Sequence, residues 1–228
     1  MKECTLKMRR SLVAIACVIL VMITICGVAA RADILGLAKD QDVYLVLVNK
    51  EHKLPNDWLD KIELVTVYDP WDEEIQVERV TLEHFNALRD RLLTEYGIDI
   101  RAESAYRSVV DQEELWVYFK DMYGEEYCQK YLAIPGYSEH HTGLAVDICL
   151  SKDGKIINDN DEMIAEKEIF SKVHELMTEY GFILRYPEGK EGITGYAYEP
   201  WHLRYVGELV AGEINLRQVT LEEYLATT

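Results

Sequence analysis

Twenty uncharged residues in a row, Ser11 to Ala30, divide this chain before any fold can be argued. Lys2, Lys7, Arg9 and Arg10 precede the run and Arg31 closes it, while Leu12 to Ile25 is almost unbroken Leu, Val, Ile, Ala, Met and Cys. About 20 apolar residues span a bilayer as a helix. A buried core helix fits poorly, because the run has no polar face and a basic cluster stands in front of it. Two readings stay open. The length favours an uncleaved membrane anchor, whereas Ala30-Arg31-Ala32 has the small-x-small form of a signal-peptide cleavage site. Either way the basic flank stays cytoplasmic and the chain beyond it faces outside. Residues 1–32 are therefore set aside as signal peptide or anchor, 33–41 as connector, and 42–228 as one extracytoplasmic domain.

That domain is strongly acidic. The whole chain has 24 Lys+Arg and 41 Asp+Glu. Once the five basic residues and Glu3 of the leader are removed, 19 and 40 remain, a net charge of −21. Nucleic-acid binding is excluded as a role, because phosphate contacts need a basic face. Of the five cysteines only Cys128 and Cys149 lie in the domain. They either pair or stay as two buried thiols, and without a C-x-x-C spacing they do not form a cysteine zinc site.

The domain mixes short strands and helices without a regular βαβ rhythm, which predicts an α+β class. Tyr44–Val48, Ile62–Val67, Phe182–Arg185 and Trp201–Val206 read as strands. Thr81 is placed as the N-cap of a helix carrying Leu82, Phe85, Leu88 and Leu92 and ending at Gly97. A second helix runs from Val110 to Tyr123. A third carries Phe170, Val173, Leu176, Met177 and Tyr180 and stops at Gly181. Arg107 is placed at the end of a strand and Gln112 at the opening of the next helix.

Chemistry concentrates in three places. In Ser138-Glu139-His140-His141-Thr142-Gly143-Leu144-Ala145-Val146-Asp147-Ile148, the segment from Leu144 alternates, so Asp147 sits mid-strand opposite the most apolar face. A carboxylate there needs a partner, and His140 can converge on it across Gly143. In Tyr198-Glu199-Pro200-Trp201-His202-Leu203-Arg204-Tyr205, Pro200 excludes a helix interior, so a turn feeds a strand with His202 and Arg204 on one face. Two imidazoles and a carboxylate with one open position describe a catalytic zinc site, and Glu199 is spaced to act as general base. Third, Ser104-Ala105-Tyr106-Arg107-Ser108 with Gln112 supplies an arginine able to grip a carboxylate or an oxyanion.

Together, Ser138-x-His140-x-x-Gly143-x-Ala145-x-Asp147, Glu199-Pro200-Trp201-His202 and Tyr106-Arg107-Ser108 resemble the VanY-type zinc D-alanyl-D-alanine carboxypeptidases, within the group that includes D-Ala-D-Ala dipeptidases and LD-carboxypeptidases. The resemblance covers roughly Asp42 to Gly207. It implies one zinc ion per chain held by His140, Asp147 and His202, with Glu199 as catalytic base. Arg107, Gln112 and Ser138 would be substrate contacts, Arg107 also aiding catalysis. It also implies a small, mainly antiparallel sheet carrying the metal and backed by helices, as in DD-peptidase and hedgehog-type domains. His141 stands where another polar residue is expected. It is read as pointing away, with a ligand swap with His140 left open.

The expected function is removal of the C-terminal D-Ala from peptidoglycan stem peptides by an enzyme anchored outside the membrane. LD-carboxypeptidase activity on tetrapeptide stems is the nearest alternative, followed by a D-Ala-D-Ala dipeptidase. A non-catalytic wall-binding module with structural zinc is the rival of a different class. Glu199 argues against it, because a structural site needs no base and is closed by four protein ligands.

Overall fold

In the computed structural model, which describes residues 43–227, a hairpin of β1 (Leu64–Tyr68) and β2 (Glu74–Glu78) runs straight into α1 (Arg79–Tyr96). Glu78 makes that junction. Its carboxylate accepts from the backbone N–H groups of Val80 and Thr81 at 3.1 and 2.7 Å, so Glu78 is the N-cap and not Thr81. Thr81 lies inside the first turn, buried, and donates its own hydroxyl to the same carboxylate. Phe85, Leu88 and Leu92, spaced by three and four, form the buried stripe of α1, and Gly97 ends the helix in the left-handed region at φ 67°.

β3 (Asp99–Ser104) follows, then α2 (Val109–Tyr123), started by a Ser108/Asp111 capping box. α3 (Glu125–Tyr131), absent from the sequence reading, continues after Gly124. A 3-10 turn at Glu139–Thr142 leads into β4 (Ala145–Lys152) and β5 (Lys155–Ile157). Then come α4 (Asn160–Ala165), α5 (Lys167–Met177), β6 (Phe182–Leu184), α6 (Glu191–Thr194), β7 (His202–Tyr205), α7 (Glu208–Arg217) and α8 (Leu221–Leu225). Among the described residues no helix is long and apolar enough to cross a membrane. The expected leader at 1–32 and the connector at 33–41 lie outside the described residues.

The main sheet has the order β3-β4-β7-β6, with every pair antiparallel. One edge of β4 is shared: β7 pairs with Ala145–Asp147 and β5 with Leu150–Lys152. On the other edge β3 pairs down to Ser104 opposite Asp147, through an irregularity between Ala102 and Ser104. Arg107 therefore lies three residues beyond the strand, not at its end. Asp147 is flanked by Ser104 on one neighbouring strand and His202 on the other, which makes it the meeting point of three strands.

Val146, Ile148 and Leu150 of β4 and Leu203 and Tyr205 of β7 pack with Phe85, Leu88 and Leu92 of α1 and Phe170, Val173 and Leu176 of α5. Each such side chain contributes about 1.5–3 kcal/mol by leaving water. A second cluster joins Ile183 and Val206 to Val210, Ile214, Leu221 and Tyr224. Tyr44–Val48, expected as a strand, is not one. Tyr44 closes a helical turn, and the carbonyls of Tyr44 and Val46 accept from Arg204 Nη2 at 3.0 and 2.8 Å. Cys128 and Cys149 are both buried free thiols.

Candidate metal centre

Asp147 and His202 occupy directly paired positions of β4 and β7, so the antiparallel register alone brings them together. Asp147 Oδ1 lies 2.8 Å from His202 Nδ1, and its Oδ2 lies 3.0 Å from His140 Nε2. His140 comes from the 3-10 turn just before β4. Its Nδ1 is 2.6 Å from the carbonyl of Ala105. A carbonyl only accepts, so Nδ1 carries the proton and Nε2 is left as a lone-pair donor. The three donor atoms lie within 4.8 Å of one another. Tetrahedral zinc with bonds of about 2.0–2.2 Å sets its ligands roughly 3.4 Å apart. The donor set and its spacing fit that ion.

The site attracts positive charge. Desolvation works to raise the Asp147 pKa, yet His140 and His202 hold it well below the usual carboxylate range. His202 is opposed by its own desolvation but is raised to about 10 by Asp147 and Glu139. His140 is pushed down, chiefly by desolvation and then by Arg107.

The flanking residues share one cleft of about 190 Å³, whose lining includes Arg107, Gln112, Ser138, Glu199 and the three donors. A larger cavity of about 280 Å³, near Met177 and Ile214, holds none of them. We take the smaller one as the site because the chemistry lies there. Glu199 stands on the turn into β7, where its carbonyl accepts from the His202 N–H at 3.2 Å. Burial pushes its carboxyl up to about 8, against the pull of His202 and Arg107. Arg107 donates through Nη1 to Gln112 Oε1 and through Nη2 to Ser104 Oγ, both at 3.0 Å. Of five guanidinium N–H groups these use two, leaving others for a ligand. The Gln112 amide is spent at both ends, since its Nε2 donates to the Ala133 carbonyl at 2.7 Å. It braces Arg107 within the cleft. Ser138 accepts from the His140 N–H at 3.3 Å and caps the metal-site turn.

His141 points elsewhere. Its Nδ1 lies 2.7 Å from the Arg107 carbonyl, and its Nε2 accepts from the Gly136 N–H at 3.0 Å, so neither nitrogen is spare. Three features escaped the sequence reading. Glu139, inside the first motif, is fully buried against Arg185 and Arg204 and lies 3.3 Å from His202 Nε2. Tyr186 packs its ring on His202 at 4.7 Å. Tyr196 lines the cleft with a buried hydroxyl that has no partner among the described residues. Glu139 had no local signal beyond its place in a motif, whereas Tyr186 and Tyr196 fall in stretches, residues 180–187 and 192–196, that are similar to the VanY-type family but gave neither tyrosine a role.

Comparison with known proteins places this geometry. The family profile described as VanY, D-alanyl-D-alanine carboxypeptidase, matches residues 74–208. The putative carboxypeptidase YodJ of Bacillus subtilis (strain 168) is 36% identical over 198 residues, 85% of this chain and 71% of the relative. A bifunctional D-Ala-D-Ala dipeptidase and carboxypeptidase, VanXYC of Enterococcus gallinarum, is 38% identical over 184 residues, 79% of this chain and 92% of the relative. Among solved structures, a variant of the vancomycin-resistance D,D-pentapeptidase VanY in complex with Zn(II) superposes with a TM-score of 0.69 at 29% identity, covering 80% of this chain and 99% of that one. The LdcB LD-carboxypeptidase superposes at 0.67 with 35% identity, covering 82% and 87%. With a matching profile across the metal-binding motifs and relatives of this identity and coverage, the chain belongs to the VanY D-alanyl-D-alanine carboxypeptidase family.

Proposed function

We propose that this chain is a zinc-dependent D-alanyl-D-alanine carboxypeptidase that removes the terminal D-Ala from peptidoglycan stem peptides. The convergence of His140, Asp147 and His202 in one cleft with Glu199 and Arg107 is the observation that carries the reading. His140, Asp147 and His202 would hold the metal. Zinc in such a site supplies Lewis-acid polarisation of a carbonyl and lowers the pKa of a water to about 7.

The remaining work falls to the chain's own side chains. Arg107, braced by Gln112 and Ser104, presents its unused N–H groups to the substrate carboxylate or to the oxyanion as charge develops. Tyr196, whose pKa burial raises, keeps its proton and has a hydroxyl to donate to the peptide. Glu199 takes the proton released by the attacking water and hands it to the departing D-Ala amine, so the carboxylate ends as it began. Burial alone would leave Glu199 largely protonated at neutral pH. A neighbouring cation favours the ionised form that a base needs.

A second reading is supported by the 35% identity to an LD-carboxypeptidase of known structure. In that case the same machinery would cut before D-Ala on tetrapeptide stems. Incubation of the protein with defined pentapeptide and tetrapeptide muropeptides, with and without zinc, separates the two by which one loses an alanine. Loss from neither would refute both. We further propose that residues 1–32 hold the domain outside the membrane, or direct its secretion if they are cleaved. The basic flank and apolar run support this.

A further inference from the structure

We infer that Glu139 is a positioning residue, which a pair of buried arginines clamps through one oxygen so that the other orients the His202 ring for metal binding. The inference rests on the reading of His202 as a metal ligand. Glu139 Oε1 takes both cations, Arg185 Nε at 2.6 Å and Arg204 Nη1 at 2.7 Å. Its Oε2 is thereby left facing His202 Nε2 at 3.3 Å. The side chains of Glu139, Arg185 and Arg204 are fully buried. Arg185 is tied in turn to Glu222 of α8, at 3.0 Å from Nη1 and 2.6 Å from Nη2. Arg204 is tied to the carbonyls of Tyr44, Val46 and Tyr205.

Two carboxylates against two guanidiniums leave this cluster neutral. Its burial still carries a desolvation cost that apolar side chains of similar volume would avoid. Core stability is therefore a poor reason for it. The spare oxygen supplies a better one. An ionised carboxylate only accepts; once Nδ1 and Asp147, 2.8 Å apart, both serve as metal ligands, Glu139 is the acceptor left to His202, which would keep the proton on Nε2 and the lone pair on Nδ1. Ala105 does the converse for His140, through Nδ1. A backbone carbonyl and a clamped carboxylate thus set the two imidazoles in complementary tautomers. The clamp ties the residue after β6, β7 and the C-terminal helix together, so the orientation of one metal ligand depends on the packing of α8.

The test uses the zinc-loaded protein. Long-range proton–nitrogen spectra should show His202 carrying its proton on Nε2, as a downfield signal slow to exchange with solvent. In Glu139→Gln that signal should move upfield and exchange faster, and zinc affinity measured by chelator competition should fall roughly 10–100-fold, as for other supporting residues of metal ligands. Zinc affinity within twofold of wild type, or an unmoved His202 signal, overturns the positioning role. If Glu139→Gln fails to fold, the wild-type spectrum decides. A freely exchanging Nε2 proton, or a proton on Nδ1, refutes the inference, and a protected Nε2 proton supports it. A wild-type protein that binds no zinc refutes the proposed function instead.

Discussion

His202 lies directly opposite Asp147 across the β4–β7 ladder, and the two side chains meet at 2.8 Å. Paired positions on one sheet face put Cβ atoms about 4.5–5.5 Å apart, so two of the three donors are set by strand register. Either substitution, Asp147→Asn or His202→Ala, should lose both zinc and activity. Equilibrium dialysis followed by metal analysis checks this. Chelation of the wild type should abolish turnover and added zinc restore it, whereas activity that survives chelation would point to chemistry without a metal.

Glu199 should behave differently. Glu199→Ala removes the proton carrier but none of the three donors, so bound zinc stays at one per chain. Turnover should fall by about 10²–10⁴, the usual contribution of general acid–base catalysis. Metal content and steady-state rates on a pentapeptide, measured on one preparation, test both halves. Near-normal turnover would mean that another group is the base.

Arg107→Lys keeps the charge and loses the fork. Lysine cannot bond Gln112 and Ser104 while still gripping a carboxylate bidentately. A charged hydrogen bond is worth about 1.5–3 kcal/mol, so kcat/KM should drop roughly ten- to a hundredfold with zinc retained. A specificity constant within threefold of wild type would remove Arg107 from the substrate contacts.

Gly143 closes the metal-site turn at φ 71°, and its carbonyl accepts from the Glu78 N–H at 3.0 Å. A Cβ there would stand 2.8 Å from Leu64 Cδ2. Gly143→Ala should therefore cost about 1–3 kcal/mol, mainly from the left-handed backbone. At roughly 2–4 °C per kcal/mol for a domain of this size, thermal melts should show a drop of several degrees. An unchanged midpoint would contradict the left-handed backbone at Gly143.

Acid should loosen the C-terminal helix. Desolvation opposes it, but Arg185 holds the Glu222 carboxyl below its ordinary value. Its contribution to stability is therefore full above the ordinary glutamate range and is lost as the pH falls through the lower folded value. Urea midpoints followed downward from neutral pH should show this loss in the wild type, and Glu222→Gln should flatten that part of the curve. Parallel acid limbs in the two proteins would show that the pair contributes nothing.

The sequence by itself nominated the donor set, because metal chemistry admits few residue types and His140 and Asp147 share one motif. His202 belongs to a second motif 55 residues beyond Asp147, and the β4–β7 register brings the two together. The sequence pattern also located the bodies of α1, α2 and α5; Gly97 and Gly124 end the first two at positive φ, whereas α5 stops at Met177 and a 3-10 turn runs on to Gly181. Tertiary structure alone decided the rest. Tyr44–Val48 has the composition of a strand, yet Arg204, some 160 positions away, takes its carbonyls. Thr81 is a good cap by type, but Glu78 reached the free N–H groups first. Glu139 stood unread inside the first motif because its meaning depends on Arg185 and Arg204, 46 and 65 residues downstream. A buried charge is tolerable only through its partners, and partners this far apart in the chain are chosen by packing, not by local pattern.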